Sequence, residues 1–332
     1  MRTENIIELG QIKNFVNPGD SLWVGGWTLV RKPMAMLYEL IKARLTDLHV
    51  VNQPGGPDTD LLIGAGCVSK SESNYIGHEV FGHPYNFRRR LEESGGSSNF
   101  RHDDWTVATG AMRILAGAMD IPFIPTKFLR GSDLMNPDYD GFKDIRASDP
   151  KVAQKKFVTM KDPFWEGEEY LLVPSIRPDV CLLHAQEAYE DGTCRISGGV
   201  FLDYYAAKAS KTVIISAEKI LKGEPSRKAY DENVIPGEIV DYIVEVPFGG
   251  HPTAVHACYD NDPLWFQEYI ESSKNTESMN QWLDKWVFAQ NSFTDYLAKI
   301  GFKQLDRLVA DPAYGYAPNI LRRLDKINKE VA

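Results

Sequence analysis

The chain has 332 residues, of which 43% are hydrophobic and 11% aromatic, and it carries a formal net charge of −9. That length serves one large α/β unit or two smaller domains, with a core that needs no disulfide or metal staple. The acidic balance excludes a nucleic-acid binder, because neutralising phosphates takes a basic face.

The N-terminal stretch "MRTENIIELGQIKNF" is too polar for the apolar centre of a secretory signal. No apolar run reaches the roughly 18 residues of a membrane span, so the chain reads as soluble and cytoplasmic. "SLWVGG" (Ser21 to Gly26) reads as a buried strand ending in glycines. Pro33 then opens a helix with Met34, Leu37, Ile41 and Leu45 on one stripe, and "DLHVVN" is a second strand. This βαβ unit implies a parallel sheet covered by helices. "DWTVATGAMRILAGAM" (Asp104 to Met119) is helical and rich in small residues, and "PFIPTKFL" is a short strand or edge segment broken by prolines. Gly131 to Pro150 reads as loop. "EYLLVPSIRPDVCLLHAQEA" holds two strands separated by a proline-rich bend, the helix "FLDYYAAKAS" follows, and "TVIISAE" and "DYIVEV" are further buried strands. The last third changes character to the helices "DPLWFQEYIESSK", "TESMNQWLDKWVFA" and "FTDYLAKIG", the third closed by Gly301. The predicted fold is α/β, an open and mostly parallel sheet with flanking helices over residues 1–247. A helical C-terminal extension over 248–332 packs on the same domain.

In open α/β sheets ligands bind at the carboxyl ends of strands. The loops "GGWTLVRKP", "NQPGGP", "NYIGHE" and "HAQEAYEDGTCRISGG" are therefore the candidates. In the first, Gly25 and Gly26 follow a strand, and Arg31 and Lys32 stand beside a helix opening. Exposed backbone N–H groups there could hold an anion or polarise a carbonyl; the alternative is a tight turn in which the glycines only supply positive φ. In the second, the amides Asn52 and Gln53 and the turn glycines Gly55 and Gly56 end a strand where a pocket is expected. Neither "VGGWTLVRKP" nor "GAGCVS" (Gly64 to Ser69) has the glycine spacing of a dinucleotide site, and there is no P-loop or G-x-S-x-G elbow.

His49 and His184 lie in apolar strands and read as core histidines, whereas His78, His83 and His102 have more polar surroundings and could reach a pocket. Arg195 could meet a substrate carboxylate or simply pair with Glu187 or Glu190; the structural role is the safer assignment. "FRRR" (Phe87 to Arg90), followed by "LEES", reads as a solvated helix face. Cys67, Cys181, Cys194 and Cys258 have no zinc or redox spacing and no disulfide framework, which points to a reducing compartment and no metal.

Taken in order, "GDSLWVGGWTLVRKPMAMLYELIKARLTDLHVV", "TDLLIGAGCV", "DPFWEGEEYLLVPSIRPDVCLLHAQEAYEDGTCRISGGVF" and "VPFGGHPTAVHACYDNDPLWFQEY" resemble the α subunits of the glutaconate CoA-transferases, the two-subunit branch of the class I (NagB-like) CoA-transferases. The resemblance runs from about Ile6 to Tyr316. "GWTLVRKPMA" is also similar, less closely, to the α subunits of hydrolases that open steroid rings as CoA thioesters, and a third related type is a decarboxylase. The family implies a coenzyme A thioester as substrate, no permanent cofactor, and a β-subunit partner in a hetero-oligomer. It further implies that the partner carries the nucleophilic glutamate after a strand of the type D-x-H-I-I-x-E-S-G. Against that pattern "DLHVVNQPG" puts Gln53 where the glutamate would be, so this chain is expected to be the non-nucleophilic half. By resemblance its contribution to the pocket comes first from Gly25, Gly26, Trp27, Arg31 and Lys32. Gln53, Gly55 and Gly56 come next, then Tyr75, His78 and His102. In the ring-opening hydrolases an acidic residue acts near the region of "FRHDDW", which holds His102, Asp103 and Asp104 here and keeps hydrolysis or carbon–carbon cleavage as an alternative. A ligand-binding module without chemistry is a further alternative.

Overall fold

The computed structural model describes residues 5–93, 99–225, 229–318 and 320. The apolar runs β1 (Ser21–Val24), β2 (Leu48–Val51) and β8 (Val180–Tyr189) are buried almost throughout and form the centre of the main sheet. Parallel strands covered on both faces have no polar side to show, which is why they read as continuous hydrophobic runs. β3 (Val68–Ser73) and β4 (Arg101–Asp104) extend the sheet on one side, β10 (Thr212–Leu221) and β11 (Tyr242–Glu245) on the other. The order is β11-β10-β8-β1-β2-β3-β4 with every neighbouring pair parallel. The short β9 (Cys194–Arg195) folds back antiparallel on the end of β8 through the Asp191-Gly192 turn, where Gly192 has φ +92°. A separate antiparallel sheet in the order β5-β7-β6 combines β5 (Phe123–Thr126), β6 (Val158–Lys161) and β7 (Glu169–Pro174).

Helices cover both faces of the main sheet. α4 (Val107–Ala118) and α5 (Asp203–Ala209) pack with Trp23, Val51, Leu183 and Ile215 on one face. On the other face lie α1 (Met34–Lys42), α2 (Pro57–Gly64) and α3 (Tyr85–Glu93). The extension's helices α6 (Pro263–Ser273), α7 (Thr276–Leu283) and α8 (Phe293–Ile300) join that face: Trp265, Tyr269, Trp282 and Tyr296 share one hydrophobic cluster with Met34, Leu37 and Ile41, while Leu308 of α9 (Phe302–Leu308) packs in a separate small cluster with Val255 and Tyr259. A buried relay ties the extension's own segments together, with Nδ1 of His251 2.7 Å from the Tyr296 hydroxyl and its Nε2 2.8 Å from Asp262.

Three expectations shift. Pro33 caps α1 instead of opening it, and Leu45 lies beyond its end. The segment expected to be helical from Asp104 is divided: Asp104 ends β4, and the helix starts at Val107 because the Thr106 hydroxyl accepts the Thr109 N–H. α2, β3 and β6, which no apolar periodicity announces, complete the layers.

Candidate active site

The direction of strand order reverses between β1 and β8, since the chain runs outward from β1 to β4 and then returns to the other side. The crevice at the carboxyl ends of such a pair is where an open α/β sheet takes its ligand. Here the chain's own side chains fill it. Arg31, 1% exposed, reaches over from the β1–α1 loop to pair with Asp203 at 2.7 Å and to donate to the carbonyls of His184 (2.7 Å) and Gly199 (2.9 Å). An added Cβ on Gly25 would lie 2.8 Å from the same Asp203 carboxylate, so the close approach requires glycine.

The anion-binding reading of this loop does not hold. The Gly25 N–H goes to Leu182, that of Gly26 to Asp203, that of Trp27 to Val30 and that of Arg31 to Ala254. Arg31 is neutralised by Asp203, and Lys32, fully buried, by Asp58 at 3.2 Å. What the loop turns outward is Trp27, half-buried and stacked on Phe201 with ring centroids 5.2 Å apart.

The β2–α2 loop is locked onto it. The Lys32 ammonium donates to the carbonyl of Pro54 at 3.1 Å, and a Cβ on Gly56 would overlap the Thr28 carbonyl. Gly55 donates to the carbonyl of Tyr75 at 2.8 Å and Gly56 to Asp58 at 2.6 Å, which joins the β3–α3 loop to the same floor. Gln53 lies under this floor, 3% exposed, with no hydrogen-bond partner at Oε1; its amide fills the space a Cβ on Gly110 of α4 would need. Tyr75 is 42% exposed and looks outward; burial and the nearby Glu79 raise its hydroxyl above the ordinary range.

Past β3 and β4 the buried polar groups are shared among several partners. Glu72 receives Arg113, Nε2 of His49 lies 3.0 Å from its other oxygen, and the Arg113 guanidinium lies 3.9 Å over the Trp105 ring. Burial would raise the Glu72 carboxyl, but Arg113 and His49 outweigh it and hold it well below the usual carboxylate range. Asp103, fully buried, takes Arg146 at 2.7 Å and Lys156 at 2.6 Å. Burial and Glu72 push its carboxyl up against the pull of those two cations. On the opposite face of β4, His102 bridges the Ser71 hydroxyl (2.7 Å) and Asp104 (3.0 Å), and this contact holds the exposed Asp104 carboxyl low. His78 is not at the surface: it is fully buried edge-on to Tyr269, with Nε2 3.6 Å from Asp60.

Of the sequence candidates, Trp27 and Tyr75 face outward, Gly25, Gly26, Gly55 and Gly56 build the loop floor, and Arg31, Lys32, Gln53 and His78 lie beneath it. His102 sits apart on β4. Asp203, Arg113 and Glu72 were not anticipated; each becomes functional-looking only through a partner distant in sequence. β8 and β10 run past the end of β1 by roughly 20 Å. They wall a cavity of about 430 Å³ lined by Gln186, Glu187, Arg195, Glu218 and Lys219 among others. Arg195 is held there by Glu232 and by Glu187, the structural role foreseen for it. Among the described residues no group of side chains could hold a metal, and no helix is long and apolar enough to cross a membrane.

A parallel sheet with its first two crossover loops interlocked at the carboxyl end, backed by terminal helices, defines a class. The coenzyme A transferase family model matches residues 9–246, and the chain belongs to that family. Within it, the chain is similar to the A-type subunit of glutaconate CoA-transferase from Acidaminococcus fermentans, with 33% identity over 92% of this chain and 94% of that protein. It superposes on the crystal structure of that enzyme with a TM-score of 0.89, covering 94% of this chain and 98% of that one. It is 30% identical to the A-type subunit of 3-oxoadipate CoA-transferase from Pseudomonas knackmussii over 87% of this chain and 95% of that protein. A cholesterol ring-cleaving hydrolase subunit of Rhodococcus jostii is 28% identical over 89% of this chain and 95% of its own length.

Proposed function

We propose that this chain is the α subunit of a two-subunit CoA-transferase that moves CoA between an acyl-CoA and a short dicarboxylic acid such as glutaconate. The observation that carries this reading is Gln53. At the end of β2, where the partner's pattern has its glutamate, this chain holds a buried amide against Gly110. The neighbouring carboxylates Glu72 and Asp103 are locked by cations and cannot replace it. Two relatives named for dicarboxylic acids, glutaconate and 3-oxoadipate, support the acid class.

In this reading the partner's glutamate attacks the acyl-CoA carbonyl and expels the CoA thiolate, leaving a mixed anhydride. The thiolate then attacks the glutamyl carbonyl and releases the first acid. The second acid repeats the exchange in reverse and leaves as its thioester. Trp27, Tyr75 and the glycine floor of Gly25, Gly26, Gly55 and Gly56 would form this chain's wall of the pocket and keep water from the anhydride. Arg31, Lys32, Gln53 and His78 would act from beneath by fixing that wall, and His102 would stand at its rim. Four unpaired thiols, with Cys67 and Cys258 pushed up to about 12 by burial, support work in a reducing cytoplasm. Assembled with its β subunit, the protein should exchange CoA between acetyl-CoA and glutaconate, followed by chromatography of both thioesters. Thioester consumed equally fast without an acceptor acid would rule transfer out.

One observation favours a second reading. Asp104 is an exposed carboxylate held low by His102, in the region where the resemblance to the ring-opening hydrolases implies an acting acid. If hydrolysis is the reaction, the complex releases free CoA without acceptor, and Asp104→Asn stops that release.

A further inference from the structure

Between Gly26 and Arg31 the β1–α1 loop passes through three residues of positive φ: Gly26 at +74°, Thr28 at +38° and Arg31 at +55°. Two of these are not glycine, and such conformations persist only where the surroundings over-determine them. Here the determinant comes from the other half of the sheet. Asp203, the first residue of α5 and 1% exposed, accepts the Gly26 N–H with both oxygens, at 3.1 and 3.3 Å. Its Oδ2 also holds Arg31 at 2.7 Å, so one carboxylate grips the loop at both ends of its turn. Arg31 is oriented in turn by the carbonyls of His184 and Gly199, and Phe201, itself at φ +54°, stacks on Trp27. The segment 199–203 is therefore a template on which the outward-facing part of the β1–α1 loop is set.

We infer that Asp203 is the positioning residue for the pocket wall this chain contributes: it touches no substrate and acts by fixing Gly26 and Arg31, and through them Trp27. The inference rests on the reading that this loop lines the transferase pocket. A bidentate carboxylate at the switch point replaces the ligand that other open sheets bind there, converting a binding crevice into a support for a surface above it.

The test uses the assembled complex of both subunits. Trp27→Ala checks the reading itself and should lower kcat with the acyl-CoA at least tenfold with the melting temperature unchanged. Asp203→Asn keeps an acceptor for the Gly26 N–H but leaves Arg31 buried without a counter-charge, so Asp203→Asn combined with Arg31→Met is the version expected to fold. In it, amide hydrogen exchange should accelerate at least tenfold in residues 25–31 while β10 and α6 stay protected. Its kcat should fall at least tenfold, and adding Trp27→Ala should lower it less than threefold further, because both changes act through one loop. Losses that multiply, exchange that rises evenly across the chain, or unchanged kcat beside a loosened loop would each overturn the role of Asp203. An effective Trp27→Ala beside a silent Asp203 pair rejects the proposal alone; a silent Trp27→Ala rejects the placement of the loop at the pocket, and the proposal with it.

Discussion

Two buried charged regions stand at the same end of the sheet and are built on different plans. Under the β1 and β2 loops each cation has a single carboxylate: Arg31 with Asp203, Lys32 with Asp58. Beyond β3 and β4 the partners are shared, since Asp103 holds both Arg146 and Lys156, Arg146 also holds Asp140, and Glu72 holds both Arg113 and His49. A one-to-one pair fixes geometry but fails when either member is lost, because a lone charge remains in a dry interior. A carboxylate with two cations can lose one and stay neutralised, as Asp103 would on Arg146 without Lys156. The floor under the candidate pocket is thus the brittle region, and the cluster beside it the tolerant one.

Lys32→Met should therefore have the largest effect. It leaves Asp58, fully buried, without a cation and should cost about 3–5 kcal/mol. Lys156→Met, which leaves Arg146 on Asp103, should cost about 1.5–3 kcal/mol, the value of one hydrogen bond to a charged group. Urea unfolding of both variants measures the difference, and equal losses would erase the distinction between the two regions.

That distinction was only half legible in the sequence. β1, α1, β2, β8 and β10 announce themselves because their apolar runs are what a covered parallel sheet requires. β3 does not, because "KSES" puts Ser71, Glu72 and Ser73 into the interior on the strength of His49 and Arg113, and hydrophobic patterning does not register a strand buried by charge. Gly25 and Gly26 were readable as a strand-ending turn. Arg31 and Lys32, read as charge offered to a ligand, point inward instead, because their carboxylates lie in α5 and α2. Asp203 is 172 residues beyond Arg31 in the chain, and no local pattern in "FLDYYAAKAS" marks it.

The tolerant cluster makes its own prediction in acid. Glu72 has a carboxyl held below the usual range in the folded state, so it contributes stability above its unfolded value near ~4.3. That contribution is lost as pH falls toward the folded value, so the free energy of unfolding should hold from pH 7 to about 5 and decline below. Glu72→Gln should flatten the decline while lowering the plateau, because Arg113 loses its counter-charge. A variant whose acid slope matches the parent's would remove Glu72 from the account.

A smaller effect tests the packing of the floor. Gly110→Ala places a methyl group where the Gln53 amide lies. Alanine should favour α4 by about 1 kcal/mol, yet overpacking costs about 1–3 kcal/mol, so the variant should be no more stable than the parent. Gln53→Ala added to it should restore the helix benefit and raise the midpoint of unfolding above that of Gly110→Ala. If Gly110→Ala stabilises the chain outright, the amide is not fixed where the structure has it.

The smallest expected effect is a null. Gln53→Glu supplies a carboxylate at the end of β2, the position a nucleophile would occupy in the partner's pattern. In a complex whose partner glutamate has been removed, it should restore no CoA transfer. A side chain 3% exposed and backed by Gly110 cannot meet a thioester, and an unpaired carboxylate there takes up a proton before it becomes a nucleophile. The stable outcome is a neutral glutamic acid under the loop floor, silent in the exchange assay. Recovered exchange in that double variant would mean that the floor opens far enough to admit substrate from this side. The two halves of the enzyme would then differ only in which one carries the acid.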